Sequence, residues 1–272
     1  MSRTRIEGVL SSRPLSGGDL GRARWVETTS GPVVEKTYPG SVPTGLVAAE
    51  AAGLTWLTVP GGPPVPAVRS HSAATIVVDA VVEGEPSVAG AEAFGAALAR
   101  LHAAGAPRFG FAPSESVFIG TEPVDVGTFA DWPSFWRART ARLLGRLPGV
   151  DRAPFDALGA RLDELVPAAT PARVHGDLWA GNVLWDAGGT AWLIDPAAHG
   201  GHHELDLALL ALFRAPHLER ILAAYEVAAG DALAAGWRER LPLHQAHTLL
   251  FHAIAFGGGY LARTLEVVGR YR

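Results

Sequence analysis

The chain has 272 residues, of which 48% are hydrophobic, and its formal net charge is −4. This balance supplies a large core and argues against a nucleic-acid-binding surface. No apolar run approaches the roughly 18 residues that a membrane helix needs, and the N-terminus lacks the apolar stretch of a signal peptide. Without cysteine there are no disulfides and no thiolate chemistry. The composition predicts a cytoplasmic globular protein without membrane contact, with a monomer as the default.

The first forty residues predict three short strands. Runs rich in apolar and β-branched residues are bounded by turn residues, and Thr29-Ser30-Gly31 has the composition of a tight turn. The strands are expected around 12–15, at 23–28 and at 32–38.

Two features of this region are suited to phosphate binding. Gly17 and Gly18, between the first two strands, permit close approach of backbone N–H groups to phosphates, although such a loop is more often only a turn. Lys36 is the single lysine among 23 Lys and Arg residues. A compact ammonium that reaches phosphates as a point charge is a role that Arg does not fill, and chance retention of one surface lysine is the alternative.

A helix is predicted over 44–57 from the spacing of its apolar residues, and Glu50 is the only acidic residue on it. Two more strands are predicted after a Pro- and Gly-rich breaker, at 65–69 and 74–82. The strand content of the first half of the chain then ends, so we place a boundary between two lobes after Val82.

From Val88 onward the pattern turns helical. Apolar residues at 94, 97, 98 and 101 predict a buried stripe on one helix. Helices are predicted over about 91–102, 134–146 and 155–166 and through most of the chain beyond 215, with a break at 257–259.

The segment His175–Asn182 combines residues that suit phosphoryl transfer. Asp177 can accept a proton from an attacking hydroxyl, while the Asn182 amide oxygen is a hard ligand of the kind that Mg²⁺ takes. Two apolar runs separated by Asp186-Ala187-Gly188-Gly189 follow and predict a hairpin that ends at Asp195, a second hard oxygen ligand. Turn chemistry is the alternative, but it does not explain His, Trp and Asn at these spacings.

This stretch resembles the catalytic and metal-binding loops of the protein-kinase-like fold. The full sequence of His175–Asn182 is similar to that of the fructosamine (ketosamine) kinase family. Aminoglycoside and choline kinases are relatives, and Trp179 favours fructosamine kinases over them. A weaker resemblance covers residues 94–136, although residues 113–127 depart from the family's sequence pattern. The resemblance implies an α+β, bilobal protein-kinase-like fold, with a small N-terminal antiparallel sheet lobe with one helix at 1–82 and a larger, mainly helical C-terminal lobe at 83–272.

The resemblance also assigns roles in the N-terminal lobe, which would bind ATP. Gly17 and Gly18 would cover the phosphates, and Lys36 would neutralise phosphate charge. Glu50 would pair with Lys36 and aim it; a solvated helix glutamate is the alternative. The backbone at Ala80 to Val82 would be the adenine-binding hinge.

In the C-terminal lobe the resemblance makes Asp177 the residue that orients and deprotonates the acceptor hydroxyl. Asn182 and Asp195 would hold Mg²⁺. His175 would support the loop, and Trp179 would line the acceptor pocket.

The segment after Asp195 contains three histidines that suggest a metal site, His199, His202 and His203. Position 207 is Leu, so the zinc-protease signature fails. The resemblance instead implies the start of a helix whose Asp206 braces the catalytic loop, while His203 or Glu204 faces the acceptor.

The expected activity is therefore an ATP- and Mg²⁺-dependent kinase that phosphorylates a sugar hydroxyl of a ketosamine, either a small molecule or a protein-bound glycation adduct. A second hypothesis keeps the fold and changes the acceptor to an aminoglycoside, a choline-like amine or another hydroxylated metabolite. Acidic residues within 113–131 would then form the pocket for a cation. A third hypothesis is a nucleotide-binding pseudokinase, which the complete set of expected catalytic residue types disfavours.

Overall fold

A computed structural model of the chain describes residues 6–15, 21–38, 42–124 and 126–271. The N-terminal part is a five-stranded antiparallel sheet with the order β1-β2-β3-β5-β4 and one helix. Its elements are β1 (Val9–Pro14), β2 (Arg22–Thr28), β3 (Val33–Thr37), α1 (Leu46–Leu57), β4 (Val68–His71) and β5 (Thr75–Asp79).

The two faces of this sheet have different roles, because side chains alternate along each strand. One face carries Val26, Val33 and Val77, which form a small apolar cluster. The other face pairs Lys36 with Ile76 across β3 and β5, and Ile76 packs against the buried face of α1 around Leu54. Lys36 and α1 therefore lie on the same side of the sheet.

The C-terminal part is mainly helical and contains three two-stranded sheets, β6 with β7, β8 with β11 and β9 with β10. In chain order its elements are α2 (Val88–Ala103), β6 (Val117–Ile119), β7 (Glu122–Val124), α3 (Trp132–Gly145), α4 (Ala153–Leu165), β8 (Ala172–Val174), β9 (Val183–Trp185), β10 (Ala191–Leu193), β11 (His199–Gly201), α5 (Glu204–Leu212), α6 (Leu218–Ala229), α7 (Trp237–Phe256) and α8 (Tyr260–Gly269).

Two large apolar clusters form the core of this part. One joins α2, α5 and α6 to the β9–β10 hairpin, and the other joins α3, α4, α7 and α8. Helices α2 and α6 approach each other closely at Gly95, where a methyl group would overlap the Ile221 backbone. The first cluster therefore supports the hairpin that follows the catalytic motif.

The predicted fold class is confirmed: a small antiparallel sheet with one helix is followed by a larger, mainly helical part. The strand expected at 65–69 is displaced to Val68–His71, and the strand expected at 74–82 is limited to Thr75–Asp79. Pro66 has no N–H to donate to a ladder, and β4 begins only at Val68. Beyond β5 the backbone leaves the sheet and runs towards α2, so the lobe boundary after Val82 falls in a connection and stays a prediction. None of the described helices is long and apolar enough to cross a membrane.

Candidate active site

The catalytic motif is a loop between β8 and β9. β8 pairs with β11 and β9 pairs with β10, so both ends of the loop are held by paired strands. Gly176 has a left-handed φ of 83°, and a methyl group there would overlap the Ala197 carbonyl oxygen. Only glycine fits this turn without strain, which brings the loop close to the segment after Asp195.

The carboxylate of Asp206, on α5, holds the backbone of this loop in place. It accepts hydrogen bonds from the His175 backbone N–H at 2.7 Å and from the Gly176 N–H at 3.0 Å. His102 Nε2 lies 3.1 Å from the same carboxylate, and its Nδ1 lies 2.8 Å from the Tyr225 hydroxyl. Burial alone would raise the pKa of Asp206, but the hydrogen bonds and charge of its partners hold that pKa below its usual value.

His175 is a second brace. Its Nδ1 accepts a hydrogen bond from the Asp177 backbone N–H at 3.3 Å, so its Nε2–H donates to the Ile194 carbonyl oxygen at 2.9 Å. The ring is fully buried, and burial lowers its pKa, which keeps it neutral. It ties the loop to the residue before Asp195.

The Asp177 side chain lies beside Asn182. The Asn182 amide nitrogen donates to the Asp177 carbonyl oxygen at 2.8 Å and to its Oδ2 at 3.2 Å. Burial raises the pKa of Asp177 to about 7, although the hydrogen bond from Asn182 acts in the opposite sense. A carboxylate with such a pKa can accept a proton near neutral pH.

The β9–β10 hairpin places Asn182 and Asp195 next to each other. Asn182 precedes β9, Asp195 follows β10 closely, and the Ile194 N–H donates to the Asn182 carbonyl oxygen at 3.1 Å. Asp195 has a left-handed φ of 52°, unusual for a non-glycine residue, and its side chain is 43% exposed. An accessible carboxylate beside an amide oxygen is a donor set that fits Mg²⁺.

Lys36 links the two parts of the molecule at this point. Its Nζ lies 2.7 Å from Asp195 Oδ1 and 3.4 Å from Glu50 Oε1, while the Tyr38 hydroxyl donates to Glu50 Oε2 at 2.9 Å. Burial alone would lower the pKa of Lys36, but these carboxylates raise it above its usual value, so the ammonium is charged. Burial raises the pKa of Glu50. Glu50 is thus not a solvated helix residue.

The predicted hinge lies at a cavity of about 280 Å³ between the two parts of the chain. The Ala80 N–H donates to the Pro32 carbonyl oxygen at 3.2 Å, and the Val82 carbonyl oxygen accepts from the Ala187 N–H at 3.1 Å. The Ala80 N–H is therefore already engaged, whereas the Val82 carbonyl oxygen keeps a second lone pair that could accept from adenine. The cavity is lined by Ala80, Val81, Val82, Asp186, Ala187, Gly188 and Trp192. The predicted phosphate loop at Gly17 and Gly18 lies outside the described residues.

Trp179 lies on the solvent side of the catalytic loop and is 40% exposed. Its ring folds back over Gly181, where a methyl group would overlap it, and its centroid lies 5.9 Å from that of Phe213. Gly181 is therefore needed for the orientation of Trp179.

The expectation that Glu204 faces the acceptor is wrong. Its side chain is 1% exposed and takes hydrogen bonds from the Arg240 guanidinium, the shortest at 2.6 Å, with His244 Nε2 at 3.0 Å. Among the described residues, His202, Glu204 and His244 are the one cluster of three His, Cys, Asp or Glu side chains spaced to hold a metal ion. Arg240 already occupies both carboxylate oxygens, which opposes a second cation there. His203 is partly buried, and burial lowers its pKa to about 4.

Sequence reasoning missed Arg139 on α3. Its side chain is buried, 5.9 Å above the Phe135 ring, and its positive charge opposes the effect of burial on the pKa of Asp177. The signal was present as a cation within the apolar stripe of a helix. Three more residues from distant elements were also missed: His102 and Tyr225, which support Asp206, and Arg240, which pairs with Glu204 in the core.

The fold and this constellation define a protein-kinase-like phosphotransferase. A solved macrolide 2'-phosphotransferase from Brachybacterium faecium has the same fold, with a TM-score of 0.61 at 18% identity over 95% of this chain and 92% of that chain.

The family model described as fructosamine kinase matches residues 3–271, and the chain belongs to that family. The structure of a putative fructosamine-3-kinase from Thermobifida fusca is similar, with a TM-score of 0.84 and 39% identity over 96% of this chain and 93% of that chain. A probable ketoamine kinase of Thermus thermophilus is 34% identical over 96% of this chain and 94% of its own length. The predicted family and enzyme class are confirmed.

Proposed function

We propose that the chain transfers the γ-phosphoryl group of ATP to a sugar hydroxyl of a ketosamine, which is free or attached to a protein. Membership of the fructosamine kinase family supports the reaction class. The observation that carries the chemistry is Asp177, a carboxylate with a pKa raised to about 7, beside Asn182 and the Lys36–Asp195 ion pair. A carboxylate suited to accept a proton and a charged ammonium thus lie near each other, which supports the proposal.

In the proposed reaction the acceptor hydroxyl lies against the Asp177 carboxylate. The hydroxyl oxygen forms a bond to the γ-phosphorus as the bond to the bridging oxygen of ADP breaks, and the hydroxyl proton passes to Asp177. Asn182 limits rotation of this carboxylate through its 3.2 Å hydrogen bond. His175 and Asp206 hold the backbone on which it stands.

Lys36, Asn182 and Asp195 are assigned to the charge of the phosphates. Mg²⁺ held by Asn182 and Asp195 would neutralise part of that charge. Lys36 would leave its 2.7 Å contact with Asp195 for a phosphate oxygen, while Glu50 keeps the ammonium directed at the cleft.

A cationic acceptor such as an aminoglycoside or choline would need an acidic pocket, and two candidate acids are already engaged. Glu122 pairs with Arg146 at 2.5 Å. Asp131 accepts the Ser134 N–H at 2.7 Å as the N-terminal cap of α3. Of the other two acidic residues in this segment, Glu115 is exposed and Asp125 lies outside the described residues.

The test is ADP release with Mg-ATP, comparing ribulosamine and fructosamine derivatives of methylamine with kanamycin and choline. We expect turnover on a ketosamine alone. Asp177→Asn should lower that kcat by about 10²- to 10⁴-fold while the nucleotide Kd stays nearly unchanged. Asp163→Asn, which changes an exposed aspartate on α4, is the matched control. Turnover only on kanamycin or choline, or ATP binding without turnover on any acceptor, would overturn the proposal.

A further inference from the structure

A row of aromatic side chains begins at the catalytic loop and ends at the junction of α7 and α8. We call it the aromatic ledge, and its members are Trp179, Phe213, His252, Phe256 and Tyr260. Neighbouring ring centroids are 5.9 Å apart from Trp179 to Phe213, 5.6 Å from Phe213 to His252 and 5.4 Å from His252 to Phe256. Tyr260 closes the end, 5.1 Å from His252 and 6.5 Å from Phe256.

The ledge is more exposed than packing alone requires. Phe256 is 69% exposed and Trp179 is 40% exposed, and each is a large apolar side chain. Exposed aromatic groups in a connected row mark a binding surface more often than isolated ones do. The inner end is two residues along the chain from the proposed base, and the Trp179 backbone N–H donates to the Asp177 backbone carbonyl oxygen at 3.1 Å.

The chemistry of the ledge suits an alkyl-ammonium chain. Aromatic faces attract ammonium groups and pack against methylene groups. His252 Nδ1 donates to the Thr248 carbonyl oxygen at 2.7 Å, so its Nε2 is left as a hydrogen-bond acceptor. The ledge therefore offers π faces and one acceptor.

The outer end of the ledge is open to a large molecule. Gly257, Gly258 and Gly259 connect Phe256 to Tyr260, and a methyl group built on any of them would meet no atom within 4 Å. The backbone of Gly257–Gly259 is thus accessible beside the ring of Phe256, the most exposed ring of the ledge. A polypeptide can approach here without displacing a side chain.

We infer that the aromatic ledge is the binding site for the amine-bearing part of the acceptor, and that its occupant is the alkyl-ammonium chain of a glycated lysine within a peptide. This rests on the proposed function, which places the sugar hydroxyl at Asp177. The amine of a ketosamine is attached to the sugar and carries its substituent away from it. With the sugar at the loop, the lysine chain crosses Phe213 and His252 and the peptide backbone reaches Phe256 and Tyr260.

The test compares two acceptors with the same sugar: a ribulosamine on the lysine side chain of a short peptide and the ribulosamine of methylamine. Phe256→Ala should lower kcat/KM for the peptide by about five- to tenfold, the loss of one aromatic contact, and leave the methylamine derivative unchanged. Tyr260→Leu should act in the same direction. Val227→Ala shortens a side chain that is 85% exposed on α6, a helix that contributes no residue to the ledge, and should change kcat/KM for neither acceptor.

The outcomes distinguish failure of the proposed lysine-binding site from failure of the proposed kinase activity. If both ribulosamines are phosphorylated and Phe256→Ala lowers kcat/KM equally for both, or for neither, the ledge is not the site of the lysine chain. If neither ribulosamine is phosphorylated while ATP still binds, the proposed function fails, and this inference fails with it.

Discussion

Replacing Asp206 with Asn tests whether one buried carboxylate holds the catalytic loop. Its Oδ2 takes the His175 N–H and His102 Nε2, and its Oδ1 takes the Gly176 N–H. An amide has only one acceptor oxygen. If that oxygen takes the Oδ2 position, the amide NH₂ faces the Gly176 N–H, and two donors oppose each other in a site that is 0% exposed.

The expected loss follows from these contacts. Two charge-assisted hydrogen bonds become neutral and one buried N–H loses its partner, which together should lower the free energy of unfolding by about 3–5 kcal/mol. Tyr225→Phe is the control. It removes only the hydroxyl 2.8 Å from His102 Nδ1 and should cost about 1–2 kcal/mol.

Urea unfolding of both variants, followed by tryptophan fluorescence, measures the difference. Below the unfolding midpoint, Asp206→Asn should also lower kcat with little change in nucleotide Kd, because the backbone before Asp177 loses its anchor. Equal stability of the Asp206 and Tyr225 variants would refute this account of the loop.

Three further predictions concern the cleft and the core. Lys36→Met should lower kcat/KM by at least about tenfold in a steady-state ADP assay, since it removes the phosphate-directed charge; an unchanged value would show that the lysine is incidental. Gly181→Ala should push the Trp179 ring aside and raise KM for the acceptor more than for ATP, whereas equal effects on both would contradict a role at the acceptor side. Lowering pH from 7 to 5 should reduce the free energy of unfolding. Buried histidines with a lowered pKa stay neutral in the folded state, but in the unfolded state they bind protons below about pH 6.5. Asp177 and Glu50, whose pKa values are raised, have the opposite effect on stability but are fewer than these histidines. Urea titrations at each pH would show a constant or rising stability if this were wrong. These histidines are His175, His199, His202, His203 and His247.

The sequence alone was sufficient to predict the catalytic loop and the hairpin after it. Asp177, Asn182 and Asp195 lie on one short loop and one tight hairpin, so their separation depends mainly on local backbone geometry. Lys36 was found from composition, because one lysine among many arginines is informative without any structure. Turn residues and apolar periodicity also predicted most strands and helices, since these are local effects.

The tertiary structure decided which polar residues support the site and which do not. His102 contacts Asp206 and Tyr225 although it lies 104 and 123 residues from them in the chain, and hydrophobic periodicity does not reveal such distant pairs. For Glu204, a contact with a residue distant in the chain excludes a role at the acceptor site. Its position beside the active-site segment suggested an acceptor role, but Arg240 from α7 neutralises it in the core, because a buried carboxylate requires a partner.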